Sequence, residues 1–206
     1  MKIYNFSAGP AHLPDTVLDA TKKAAIEYRG TGMSVMEMSH RSEPIVDLFH
    51  KTTSRVRTLL DVPSGYHVLW LQGGASMQFS MVPMNLLSKR STADYIETGA
   101  WSTKAITECN RVATANVIAS SKKEIFNYIP KEYKQNIESI YLHITSNNTI
   151  YGTQYKVFPK PRNAEGYLVA DMSSDIFSRS INVSDFGLIY AGAQKNIGPC
   201  LLYTSD

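Results

Sequence analysis

Apolar positions along this chain follow two rhythms. Short runs, HVLWL (67–71), ADYIE (93–97), SIYLHI (139–144), YLVAD (167–171) and GLIYA (187–191), mostly lack polar alternation, as strands covered on both faces do. Between the first two runs lies GGASMQFSMVPMNLLSK, and between the next two AWSTKAITECNR; each reads as a crossover helix. Two further helices are predicted ahead of them. Pro14 opens one with Val17, Leu18, Ala24, Ala25 and Tyr28, stopped by Gly30 and Gly32. The other has Ser42 as N-cap and Pro44 in its first turn. Its Ile45, Leu48, Phe49, Thr52, Val56, Leu59 and Leu60 recur at intervals of three and four, which predicts one long buried face. Runs alternating with amphipathic stretches predict an α/β fold.

Composition narrows this picture. The 206 residues are 43% hydrophobic, enough for one sizeable core. The 21 basic and 18 acidic residues give a formal charge of +3 without a basic stripe, so no nucleic-acid partner is expected. Cys109 and Cys200 match neither a metal-site spacing nor a disulfide framework, and a reducing compartment fits them. The opening MKIYNFSAGPAHLP meets polar residues and prolines before any signal-like core, and no later window is apolar for the ~20 residues a membrane helix needs. A cytoplasmic chain with no membrane association is the expectation. There is no internal repeat or low-complexity tract, and VFPKPRNAEG (157–166) reads as an exposed loop.

Ligands of parallel sheets collect beyond the carboxyl ends of the strands, and five such exits carry unusual residues. HVLWL runs into Gln72, Gly73, Gly74, Ala75 and Ser76, small residues that open a helix with outward N–H groups, suited to an anion. Taken alone, this is also what an ordinary strand-to-helix turn looks like, with neither a Walker pattern nor a full dinucleotide fingerprint. Trp101 follows ADYIE, where a tryptophan more often packs in a core. Thr149 lies in the polar cluster after SIYLHI. Asp171 ends YLVAD, a position that also suits a helix cap. GLIYA leads to Gln194 and Lys195 inside a glycine-bracketed turn.

The combination is more specific than its members. It supplies what pyridoxal phosphate (PLP) requires: an amine to form a Schiff base, an acid beside the pyridine nitrogen, a phosphate cradle and an aromatic face. Lys195, Asp171, the turn 74–76 and Trp101 fill those posts in turn. Asp171 would keep the ring nitrogen protonated through charge pairing. Lys195 would hold the cofactor and then move the substrate's α-proton.

The segments NFSAGPAHLP, MSVMEMSHRS, LQGGASMQFSMVPMNLL, TADYIETGAWSTKAI, ADMSSDIFSR and IYAGAQKNIGP resemble the phosphoserine aminotransferases, class V enzymes of fold type I. The resemblance runs in order from Asn5 to about Pro199. It implies a PLP-transferase large domain: a mostly parallel sheet with helices on both faces, an α/β/α three-layer sandwich. It divides the chain into an N-terminal segment, 1–14, and an incomplete PLP-binding domain, 15–206, with the small C-terminal domain absent. It makes Lys195 the Schiff-base lysine, Asp171 the pyridine partner, Trp101 the stacking ring and Thr149 a hydroxyl near the phenolic oxygen. Ala75 and Ser76 become backbone phosphate donors, and Gln194 a side-chain one. His40 and Arg41 would bind the substrate phosphate, a task an imidazole beside a guanidinium suits. Ser76 stands where the family often has arginine, which leaves the backbone donors intact.

The implied reaction passes an amino group between glutamate and 3-phosphohydroxypyruvate, giving phosphoserine and 2-oxoglutarate in serine synthesis. In some bacteria it also acts on a related phosphorylated 2-oxo acid toward pyridoxine. Full-length members are homodimers. The tail CLLYTSD departs from the family's next buried strand and reads as the product of a broken gene or an artefact, so this chain alone is expected to be inactive. Two other readings stay open: a different class V enzyme, such as an alanine–glyoxylate aminotransferase or a cysteine desulfurase, and a non-catalytic nucleotide-binding module using Gly73 and Gly74. Neither cysteine sits in a flexible loop suited to a desulfurase, and SHRS favours a phosphorylated substrate.

Overall fold

The computed structural model describes residues 3–7 and 9–198. They divide into two compact units, one of residues 3–7 and 11–69, the other of residues 9, 10 and 70–198.

The first unit carries helices α1 (Asp15–Ile26) and α2 (Glu43–Leu60). Pro14 occupies the N-cap of α1. Helix α2 starts after Ser42 with Pro44 in its first turn, where the missing N–H costs nothing. It ends at Asp61, which turns left-handed with φ 49°. The guanidinium of Arg57 then donates to the carbonyls of Pro63 (3.4 Å) and Tyr66 (2.5 Å), fixing the exit. Both helices lie where the apolar spacing predicts them, but the long buried face does not form. Only Ile45 and Leu60 of α2 are buried, whereas Phe49 and Leu59 are 46% and 72% exposed, and α1 buries no residue.

The second unit is built on a five-stranded sheet in the order β2-β1-β3-β6-β7, every neighbouring pair parallel. Its strands are β1 (Thr92–Glu97), β2 (Thr114–Ser120), β3 (Tyr141–Thr145), β6 (Tyr167–Asp171) and β7 (Leu188–Tyr190). A short antiparallel hairpin, β4 (Asn147–Asn148) with β5 (Thr153–Gln154), leaves the end of β3. Helix α3 (Gly74–Leu86) precedes β1 and α4 (Ala100–Cys109) follows it, both where helices are predicted, but α4 leads to β2 and not to the strand predicted next.

Four of the five predicted strands are present, and the fifth is replaced. Residues 67–71 belong to neither sheet among the described residues, and Leu69 and Leu71 are 71% and 55% exposed. The sheet instead takes β2, an edge strand whose TANVIAS is no apolar run and is buried nowhere along its length. The chain runs outward from β1 to β2, then returns to place β3 on the other side of β1. That reversal is a topological switch point, and a crevice opens there beyond the carboxyl ends.

One face of the sheet packs Tyr95, Tyr141 and Val169 against Phe79, Val82, Ala105 and Cys109 of α3 and α4. Its polar atoms are largely paired with one another. The Tyr95 and Tyr141 hydroxyls are 2.8 Å apart, and His143 Nε2 bonds the Tyr190 hydroxyl at 2.8 Å while stacking on Tyr95. Burial pushes His143 down to about 3, so this imidazole is neutral. Ile96, Leu142, Ile144 and Leu168, which alternate with those positions, are also at most 2% exposed. Each such side chain contributes roughly 1.5–3 kcal/mol. Both sides of the central strands are therefore sealed, which holds their carboxyl ends in place.

Candidate functional site

A cavity of about 300 Å³ lies at the carboxyl edge of the sheet, within the second unit. Three strand ends supply its floor and sides. Thr145 closes β3, Asp171 closes β6 as its register partner, and the chain leaving β7 turns back through Gln194 and Lys195. Ala75, Ser76 and Phe79 of α3 and Trp101 of α4 enclose the opposite side.

Asp171 is 3% exposed. Its Oδ1 accepts from the Ser173 backbone N–H (2.9 Å) and hydroxyl (2.5 Å), so both contacts fall on one oxygen. Burial raises this carboxyl above its ordinary range, while the Ser173 bonds and the Lys195 charge pull it down. The Lys195 ammonium donates to Thr149 Oγ1 at 2.9 Å and lies 5.8 Å from the centroid of the Trp101 ring. Burial lowers Lys195 from its ordinary value, partly offset by Asp171. A depressed lysine amine beside a buried carboxylate in a cavity is an arrangement suited to nucleophilic attack on a carbonyl.

Helix α3 aims its first turn at this space. Gly73 and Gly74 have φ of 87° and 58°, a left-handed pair that most side chains resist. A Cβ on Gly73 would sit 2.6 Å from Met77 Cβ, so the close turn also needs its absence. The N–H groups of the first turn, Ala75 and Ser76 included, have no intrahelical acceptor and are free for an anion.

The sequence-predicted residues Ala75, Ser76, Trp101, Asp171, Gln194 and Lys195 all line the cavity. Thr149 joins them through its bond to Lys195. His40 and Arg41 belong to the first unit, exposed in the turn before α2, and are not among the lining residues. Cys109 is buried and unoxidised against the sheet, while Cys200 and the tail lie outside the described residues.

Sequence reasoning missed part of the lining. Thr145 closes a strand whose predicted end stopped one residue short. Asn147, Ser173 and Ser174 are polar residues next to predicted exits. Gly9 and Pro10 also line the cavity, and a Cβ on Gly9 would sit 2.9 Å from Lys195 Cγ. No local pattern shows that contact, because the two residues are 186 positions apart (195 minus 9). Among the described residues no cluster of three or more His, Cys, Asp or Glu side chains could hold a metal ion, and no helix is long and apolar enough to cross a membrane.

Comparison with known proteins gives a consistent result. The sequence model of the family described as "Aminotransferase class-V" matches residues 3–200. A phosphoserine aminotransferase of Geobacillus kaustophilus (strain HTA426) is 52% identical over 202 residues, covering 96% of this chain and 55% of that protein. A solved phosphoserine aminotransferase from Bacillus circulans subsp. alkalophilus superposes with a TM-score of 0.91 at 46% identity, over 96% of this chain and 55% of the other. A PLP-bound phosphoserine aminotransferase from Trichomonas vaginalis superposes with a TM-score of 0.86 at 36% identity, over 96% and 55%. The chain thus spans about half the length of the curated relatives it matches.

Proposed function

The chain belongs to the class V aminotransferase family, and from that premise we propose that it carries the cofactor-binding part of a phosphoserine aminotransferase. The reaction is reversible amino transfer from O-phospho-L-serine to 2-oxoglutarate, giving 3-phosphohydroxypyruvate and L-glutamate. The cofactor is pyridoxal 5′-phosphate. The observation that carries this reading is the convergence of Lys195, Asp171, Trp101 and the α3 N-terminus on one cavity.

The residues fit that group on their own chemistry. Among the described residues Trp101 Nε1 and Thr145 Oγ1 are buried without a hydrogen-bond partner, both in residues that line the cavity, and a bound polar ligand would relieve their cost of roughly 1–3 kcal/mol each. The first turn of α3 and the Gln194 side chain would hold the phosphate, Trp101 would stack on the ring, and Asp171 would face its nitrogen. When bound, pyridoxal phosphate supplies an aldehyde for amines and a ring that withdraws electrons from the substrate's α-carbon.

The chain's residues do the rest. Lys195 supplies the attaching amine, and its depressed basicity gives it a larger neutral fraction near pH 7. With a substrate amine in its place, the freed Lys195 amine would take the proton from the substrate's α-carbon. Asp171, buried and fixed by Ser173, would favour a protonated ring nitrogen facing it. The Thr149 hydroxyl orients the lysine. His40 and Arg41 are proposed to bind the phosphate of phosphoserine, and Thr149 to lie near the cofactor's phenolic oxygen. We also propose a homodimer in the cytoplasm, acting in L-serine synthesis and, on a related phosphorylated 2-oxo acid, in pyridoxine synthesis.

The experiment is an assay of phosphoserine-dependent glutamate formation by the protein that carries this chain, with alanine as the competing amino donor. Preference for phosphoserine supports the proposal. Preference for alanine would favour a different class V aminotransferase, and no visible absorption change with the cofactor would favour a non-catalytic module.

A further inference from the structure

The turn that follows Asp171 is bonded to two other loops of the cavity, the Lys195 turn and the hairpin 147–154. Backbone and side-chain bonds run from it in two directions. Toward the Lys195 turn, the Ile176 carbonyl accepts from Asn196 Nδ2 (2.6 Å) and the Ser173 hydroxyl from the Gly192 N–H (3.0 Å). Toward the hairpin 147–154, Ser174 exchanges bonds with Asn147, accepting from its Nδ2 (2.8 Å) and donating to its carbonyl (2.9 Å).

Asp175 is the charged member of this turn and is 6% exposed. Its two oxygens grip the two strands of the hairpin at their base. Oδ1 bonds the hydroxyl of Ser146, the residue just before β4, and Oδ2 accepts from Gln154 Nε2 of β5 at 3.1 Å. Arg179, its guanidinium 4.8 Å from the Phe158 ring centroid, faces Oδ2 at 3.7 Å. The hairpin so gripped presents Thr149 between its strands, and Thr149 holds Lys195. Side-chain bonds and the hairpin backbone thereby link Asp175 through Ser146 and Gln154 to Thr149 and Lys195. A buried carboxylate costs several kcal/mol to desolvate. It is retained here where its two oxygens and fixed geometry close a loop that neutral groups would close less rigidly.

We propose that Asp175 is a positioning residue for Lys195, acting through the hairpin and Thr149. The inference rests on the reading of Lys195 as the attaching amine. It says that the basicity and orientation of that amine are set in part by a carboxylate that does not line the cavity.

The test follows Lys195 without cofactor. The pH dependence of Lys195 acetylation by acetic anhydride is read peptide by peptide by mass spectrometry. In the parent chain the midpoint lies below that of an ordinary lysine. In Asp175→Ala the hairpin loosens, Lys195 gains water, and the midpoint rises by on the order of one pH unit. Asp175→Asn, which keeps the shape and one acceptor, should give a smaller rise, and so should Gln154→Ala. A role through charge alone would have the opposite sign, since removing a nearby negative charge lowers a lysine's basicity. Protection of the Cys109 thiol from alkylation, read in the same digests, shows that the core stays closed. If Asp175 acts through Thr149, adding Asp175→Asn to Thr149→Ala should leave the midpoint where Thr149→Ala alone puts it. An unchanged or lowered midpoint in all three Asp175 and Gln154 variants overturns the proposal, and so do additive effects of Thr149→Ala and Asp175→Asn. Because no cofactor is present, these outcomes are separate from a failure of the chain to bind pyridoxal phosphate.

Discussion

Helix α2 and strand β3 are both drawn from apolar patterns, yet they end in opposite environments. Of the 18 residues of α2 only Ile45 and Leu60 are buried, whereas all five residues of β3 are. The same contrast separates the charged and polar groups assigned to the site. His40 and Arg41 stand in an exposed turn ahead of α2. Asp171 and Thr145 end strands sealed on both faces, and Lys195 is held by Thr149. Chemistry that needs tenths of an ångström belongs at the sealed edge, where backbone and rotamers are fixed by packing. The exposed turn suits attraction of a charge, which tolerates looser geometry.

The contrast can be broken most forcefully by core substitutions. Ile144→Ala, at a fully buried position, should cost about 2–5 kcal/mol. Leu59→Ala, at a 72% exposed position, should stay within about 0.5 kcal/mol. Urea unfolding of both variants checks this, and equal losses would mean that α2 contributes as much to the core as the sheet.

A second prediction probes the exposed turn. Arg41→Ala should raise the KM for phosphoserine by about ten- to a hundredfold, the loss of one or two charged hydrogen bonds, with little effect on glutamate. Steady-state kinetics with each substrate decides it, and equal effects on both would remove Arg41 from phosphate binding.

The third prediction uses His143. Its folded value, about 3, lies below the ordinary 6.5. Between those values the unfolded chain binds a proton that the folded chain does not, so stability falls as pH falls. From pH 6.5 to 5.5 the loss should be about 1 kcal/mol. Asp171, raised by burial, contributes with the opposite sign, so the parent is compared with His143→Gln, in which the acid-linked loss should shrink by that amount. An unaltered pH slope in the variant would mean that the imidazole titrates in the folded chain as it does in the unfolded one.

Strand β6, which ends on Asp171, was legible because both-face burial writes an unbroken apolar run into the sequence and the chemistry sits at the run's end, and β7, ahead of Lys195, was legible from GLIYA although only its Tyr190 is buried. YLVAD matches β6 residue for residue. Strand β2 was not legible, since none of its residues is buried and Thr114, Asn116 and Ser120 interrupt any apolar run. Residues 67–71 show the converse, an apolar run that lies outside both sheets. The periodicity of α2 gave the helix but not its partners, because a stripe records what a helix could bury and not what meets it. Gly9 against Lys195, and Asp175 beneath the hairpin, are contacts between distant residues whose types are common in turns. Only the folded chain brings them together.

The central claim, that Lys195 is the amine of this site, is tested most directly by incubating the chain with pyridoxal phosphate, reducing with borohydride and mapping the label by mass spectrometry. The account predicts one dominant labelled peptide carrying Lys195, lost in Lys195→Ala and weakened when Asp171 is replaced by Asn. Label spread evenly over exposed lysines, or retained at full yield in Lys195→Ala, would contradict it.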